Sequence, residues 1–185
     1  DARVRIGTAT ERPRRPLSIR AYPAAWQREV SLAGLGAIQL RPIRPEDEHL
    51  YARFIERLTP DDMRMRFFIA RPHASHSQIA RFTQIDYARE MAFVAIGEAN
   101  GDILGVARLV ADPDYHRAEY AIIVASDLKG HGLGWTLMQH LIAYARAEGL
   151  SELFGEVLAE NETMLKMSRE LGFKIAAVPD DVNLM

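Results

Sequence analysis

An apolar run, a polar turn, spaced glycines and a helical pattern follow one another here, and this order constrains the chain more than any other feature. Tyr120 to Val124 reads as a buried strand, Ala125 to Lys129 as a turn, and Gly130, Gly132 and Gly134 follow at once. Leu133, Leu137 and Leu141 then recur at helical spacing, with Met138, Ile142 and Ala145 beside them. Glycines at a strand-to-helix junction let backbone approach a ligand closely, because no Cβ intervenes. The first N–H groups of the helix lack internal partners, and the helix dipole adds partial positive charge at the same place. Such a junction seats phosphate.

Around this junction the chain alternates strands and helices. Glu29 to Leu32 and Ala37 to Arg41 flank Gly34 and Gly36 as a hairpin. Pro45 with Glu46, Asp47 and Glu48 opens a helix whose stripe is Leu50, Phe54 and Leu58. Thr59 caps a second helix and Pro60 fits its first position, while Arg64 and Arg66 are expected on its solvated face. Ser77 to Ile85 is a third short helix, Met91 to Ile96 a strand, and Asn100-Gly101 a two-residue hairpin turn into Ile103 to Val110. Ala118 to Val124 pairs next as an antiparallel strand. Leu153 to Leu158, after a crossover helix ended by Gly149, runs parallel to it. Asn161 or Glu162 starts the last helix, Gly172 ends it, Phe173 to Val178 is a further strand, and Asp180-Asp181 turns. The coarse order, ββ-αα-βββ-α-β-α-β(β), predicts an α/β fold: a mixed central sheet flanked by helices.

Composition excludes several classes. There is no cysteine, so disulfides and thiolate chemistry are absent. A net charge of −2 gives no general reason to bind nucleic acid. No apolar run of about 18 residues and no secretory signal appears, so no membrane span is expected and a cytoplasmic location is. His73 and His76 sit in a Pro/Ser-rich turn without a third ligand, so no metal is expected. Residues 1–27 hold Arg-Pro-Arg-Arg-Pro without periodicity and read as a basic linker or the tail of a preceding domain, leaving 28–185 as the folded domain.

The spacing of the turn discriminates among phosphate motifs. A Walker loop needs its lysine after the glycines, and here Lys129 precedes them. A dinucleotide fingerprint counted from Gly130 would place Trp135 at its third glycine. What remains is a basic residue followed by x-x-G-x-G, filled by Lys129, Gly132 and Gly134. This resembles the acetyl-CoA signature of the GCN5-related N-acetyltransferase (GNAT) superfamily. Asn161, Met164, Met167, Ser168 and Gly172-Phe173 fall in register with that superfamily's later motif, and the element order agrees from about Glu29 onward. Leu40 to Asp47, Met65 to Phe68 and Asp127 to Gly130 are similar to bacterial protein lysine acetyltransferases. In one branch of these the GNAT domain follows an acyl-CoA-synthetase-like region, and Ser18 to Pro23 resembles the join.

The resemblance implies acetyl-CoA as cofactor, with Lys129 and the amides of Gly130, His131, Gly132, Leu133 and Gly134 on its pyrophosphate. Backbone N–H groups of Ile122, Ile123 and Val124 would take the pantetheine arm and the thioester oxygen, with Asn161 and Met164 also on the coenzyme. Glu119 stands inside an apolar strand, five residues before Val124 and so about 16 Å away at 3.3 Å per residue, a pantetheine's reach from the turn. It is the candidate general base. Where many GNAT enzymes place a tyrosine as acid for the leaving thiolate, this chain has Ser168, a weaker donor. Tyr120 and Trp135 read as packing, and His131 as a phosphate contact or solvent-facing. The implied reaction is acetyl transfer to a lysine amine of a protein, an acyl-CoA synthetase being one such acceptor. A small-molecule amine as acceptor, or a catalytically silent coenzyme-sensing module, are the alternatives.

Overall fold

The computed structural model describes residues 20–67, 75–177 and 184–185. Among them six strands form one sheet in chain order, β1 (Arg28–Leu32), β2 (Gly36–Pro42), β3 (Glu90–Gly97), β4 (Ile103–Ala111), β5 (Arg117–Val124) and β6 (Glu152–Phe154). Neighbours pair antiparallel except β5 and β6, which are parallel, as a crossover helix requires. The helices are α1 (Glu48–Glu56), α2 (Pro60–Phe67), α3 (His76–Thr83), α4 (Leu133–Ala147) and α5 (Glu162–Glu170).

Strand alternation divides the core between the two faces of the sheet. Ile38, Leu40, Phe93, Ala107 and Tyr120 meet Leu133, Leu137, Leu141 and Tyr144 of α4 on one face. Ile43, Val94, Val106 and Ile123 meet Tyr51, Phe54, Ile55, Met63 and Ile79 of α1 to α3 on the other. Phe54 of α1, Leu58 just after it and the leucine stripe of α4 are buried as their periodicity predicts, Leu50 is half-buried, and Thr59 caps α2 by accepting the Asp62 N–H at 3.2 Å. Asp47 does more than favour a helix start. Its carboxylate takes the buried Arg41 guanidinium at 2.7 and 2.6 Å and the Arg44 N–H at 2.8 Å.

Four expectations change. The β3–β4 connection is longer than a two-residue turn: Gly97 N–H donates to the Asp102 carbonyl at 3.0 Å, and Glu98 to Gly101 form the loop. The strand expected over Leu153 to Leu158 ends at Phe154. A Cβ on Gly155 would sit 2.9 Å from the Tyr120 ring and 3.0 Å from its carbonyl oxygen, so the two chains are in close contact there, and the pairing goes no further. Residues 173–177 form no strand. Pairing resumes instead at the chain end, where Leu158 bridges Leu184 antiparallel. Val178 and the Asp180-Asp181 turn lie outside the described residues. Finally, the packed chain begins ahead of residue 27. Trp26 stacks edge-on against Tyr144 and His140, Tyr22 donates its hydroxyl to the Pro42 carbonyl at 3.0 Å, and Arg20 pairs with Glu148 at 2.8 Å. Residues 1–19 of the expected linker, and His73, lie outside the described residues.

Candidate active site

The departure of β6 at Gly155 opens the edge of β5. The two strands pair only from Arg117 to Glu119, so among the described residues Tyr120 to Val124 have no strand on that side. Successive N–H groups of a strand point to alternate edges. Ala125 donates to the Leu104 carbonyl at 2.9 Å, toward β4. By alternation Ile123 also faces β4, and Ile122 and Val124 present their N–H groups to the open edge. Of the three residues expected to hold the arm, Ile123 is therefore engaged in the sheet.

At the end of β5 the turn rises into α4. Gly130 (φ +83°) and Gly132 (φ +80°) adopt left-handed backbone that disfavours any Cβ, which explains the glycine spacing. Gly132 is the N-cap of α4 and offers no side-chain oxygen, so the first-turn amides of Leu133, Gly134 and Trp135 are not capped by it. The turn and the strand edge together floor a cleft of about 730 Å³, walled by Asp62, Met65 and Arg66 of α2 and by Asn161, Met164 and Met167 of α5.

Glu119, exposed, stands in this cleft at the far end of the open edge. Arg66 lines the cleft as well, and so does not solvate an outer face. Its guanidinium is pulled below its ordinary basicity by burial, with Arg108 adding to the effect and Tyr51 and Glu119 opposing it. Asp61, Glu156, Glu160 and Glu162 add carboxylates to the lining, so the cleft is predominantly acidic. Asn161 caps α5, its Oδ1 accepting the Met164 N–H at 3.1 Å. Lys129 lines the cleft, with Nζ donating to Asp62.

The side chains of two expected site residues lie elsewhere. Ser168 is 1% exposed and shares a 3.3 Å hydrogen bond with the Tyr120 hydroxyl. It borders a second cavity of about 670 Å³ rather than the cleft, because the buried face of α5 turns it inward. Tyr120, read as packing, borders both cavities. Burial pushes its hydroxyl up, with Ser168 opposing. His131 does not line the cleft. Its Nδ1 lies 3.4 Å from the Ala33 carbonyl, against the β1–β2 turn. Asp62 is the residue the sequence reading passed over, although Thr59-Pro60-Asp61-Asp62 carried the spacing of a cap whose fourth residue can reach back. No metal-holding cluster of His, Asp and Glu occurs among the described residues, nor any helix long and apolar enough to cross a membrane.

An extended arm bearing amides and ending in pyrophosphate fits this cleft. The outward N–H groups of Ile122 and Val124 match amide acceptors along an extended chain. The positive-φ glycines hold the turn at the other end, and at Gly130 and Gly132 nothing lies within 4 Å of the space a Cβ would fill. Comparison with known proteins agrees. The model of the acetyltransferase (GNAT) family matches residues 55–173. An acetyltransferase of Pseudomonas aeruginosa is 34% identical over 146 residues, 78% of each chain. An L-methionine sulfoximine/L-methionine sulfone acetyltransferase of the same species is 32% identical over 83 residues, 43% of this chain and 48% of that one. The crystal structure of the GNAT domain of S. lividans PAT superposes with a TM-score of 0.80 and 26% identity, over 89% of this chain and 96% of that domain. The chain thus belongs to the GNAT family of acetyltransferases, whose acyl donor is acetyl-CoA.

Proposed function

We propose that this acetyltransferase modifies a lysine side chain on a protein, with an acyl-CoA synthetase as the first candidate acceptor. The observation that carries the reading is the match to the GNAT domain of S. lividans PAT, which extends over nearly the whole of both. An acidic cleft supports it further, since a lysine arrives as a cation. In this reading the domain follows an acyl-CoA-synthetase-like region and works in the cytoplasm.

Bound acetyl-CoA supplies an acetyl group activated as a thioester. The chain's own part begins with the amides of Gly130 to Gly134, which seat the pyrophosphate, and with Ile122 and Val124, which orient the arm along β5. Their N–H groups are fixed by the sheet before any ligand arrives, so they can stabilise charge on the thioester oxygen without reorganising. Glu119 takes the proton from the incoming amine. A lysine with pKa about 10.4 is neutral in only about one molecule in a thousand near pH 7, so a positioned base matters. Ser168, buried against Tyr120, takes no part in this scheme, and the leaving sulfur draws its proton from water.

A second reading has its own support. The 32%-identical relative acts on free amino-acid analogues, and the Arg66 guanidinium in the cleft is suited to a carboxylate. Labelled acetyl-CoA offered with acyl-CoA synthetases, polyamines and L-methionine sulfone separates the readings. Label in the synthetase, with slow reaction of the free amines, is expected. Label on methionine sulfone and none on protein overturns the lysine reading. Coenzyme binding without transfer to any amine identifies a sensing module instead.

A further inference from the structure

The segment joining α1 to α2, together with the first turn of α2, grips the glycine turn through contacts that the reaction above does not use. Asp62 is at their centre, 7% exposed. Its Oδ1 takes the Lys129 ammonium, and its Oδ2 accepts from the Ser126 hydroxyl and, at 2.8 Å, from the Thr59 hydroxyl. Ser126 Oγ in turn accepts the Thr59 N–H at 2.9 Å. On the outer side Arg57 holds both Asp127 carboxylate oxygens, at 3.1 and 2.8 Å. Ser126, Asp127 and Lys129 are thus each tied to residues 57–62, immediately before the two left-handed glycines.

We infer that Asp62 is a positioning residue that locks the coenzyme turn to α2, with Lys129 as the other half of the lock rather than a direct ligand of the pyrophosphate. The inference rests on the reading that this turn seats the pyrophosphate. A backbone cradle recognises phosphate well only if its amides are fixed beforehand, and glycine at positive φ is the residue least able to fix itself. The lock supplies that rigidity from outside the turn. Lys129, meanwhile, spends its charge on a buried carboxylate. Burial pushes that carboxyl up, but hydrogen bonds from Lys129, Ser126 and Thr59 outweigh it and hold Asp62 below the usual carboxylate range. The same helix carries Met65 and Arg66 into the cleft, so the lock fixes the coenzyme turn and one cleft wall as a unit.

The test measures binding of coenzyme A and of pantetheine, which lacks the pyrophosphate and nucleotide, by titration calorimetry on the whole chain. Asp62→Asn and Lys129→Met are each expected to weaken coenzyme A about tenfold and to leave pantetheine within about twofold. The double variant should bind no more weakly than the worse single one, since both remove one interaction. Ser126→Ala, which changes no charge, should weaken coenzyme A about threefold and guards against a variant that merely fails to fold. Unchanged or tighter coenzyme A binding in Asp62→Asn, with Lys129→Met weakened, overturns the lock and makes Lys129 a pyrophosphate ligand. Additive losses, or no loss in Ser126→Ala, overturn it too. Wild-type binding of pantetheine as tight as that of coenzyme A overturns the seat reading itself, and the lock with it.

Discussion

On β5 the side chains of Glu119, Ala121 and Ile123 leave one face of the sheet and those of Ala118 and Tyr120 the other, so strand register decides which residue meets an incoming amine. Glu119→Gln keeps the shape and removes the carboxylate proposed as the base. It should leave coenzyme A affinity within about twofold and lower kcat/KM about a hundredfold or more. Undiminished turnover across the pH range would falsify the assignment. Asp47 illustrates a structural carboxylate instead. Replacing it with Ala leaves the Arg41 guanidinium, 7% exposed, without its bidentate partner. A cost of about 3–5 kcal/mol is expected, read from urea unfolding. A loss below about 1 kcal/mol would show that water or Pro42 suffices to satisfy Arg41. The place of Glu119 in the cleft was legible in the sequence because a carboxylate inside an apolar strand stands out. Asp62 was not, because an acidic residue in the first turn of a helix already has an ordinary explanation.

At the scale of elements, periodicity was a sound guide wherever one face is buried: α1, α4, β3, β4 and β5 lie where their apolar patterns put them. It failed where tertiary contact overrides pattern. Leu153 to Leu158 is apolar at four of its six positions and reads as a strand, yet Gly155 lies against Tyr120, and no pattern in one segment reports its contact with another. The same limit hid the burial of Ser168, whose register with the family motif says nothing of which way α5 turns it. Gly155→Ala tests this contact. With 2.9 Å to the Tyr120 ring and 3.0 Å to its carbonyl oxygen, a methyl group forces one chain aside. A loss of about 1–3 kcal/mol is expected, seen as a lower urea midpoint. An unchanged midpoint would mean that the two strands part for another reason.

At the scale of the whole molecule, the segment before β1 is coupled to the core through a histidine. His140 is 4% exposed and its Nε2 donates to the Trp26 carbonyl at 3.0 Å, between Trp26 and Phe93. Burial lowers its pKa, Arg28 lowers it further, and the Trp26 carbonyl opposes both. The folded value therefore lies below the unfolded one of about 6.5. Above that pH both states are neutral and the full contribution is present. As pH falls below it the unfolded chain binds the proton first, so stability declines until the folded value is passed. Urea midpoints should drop between pH 7.5 and 5.5, and His140→Phe should flatten that slope. An equal slope in both proteins would place the pH dependence elsewhere.

The open edge of β5 carries one last consequence. If the arm of the coenzyme lies along Ile122 and Val124, it stands in for the strand that β6 ceases to be after Phe154, and the ligand completes the sheet. Recognition of this kind is written in peptide groups that every residue except proline supplies. Substitution at those positions can reshape the walls of the cleft while the docking rail persists. A chain built this way can exchange one acceptor for another over time without having to rediscover its donor.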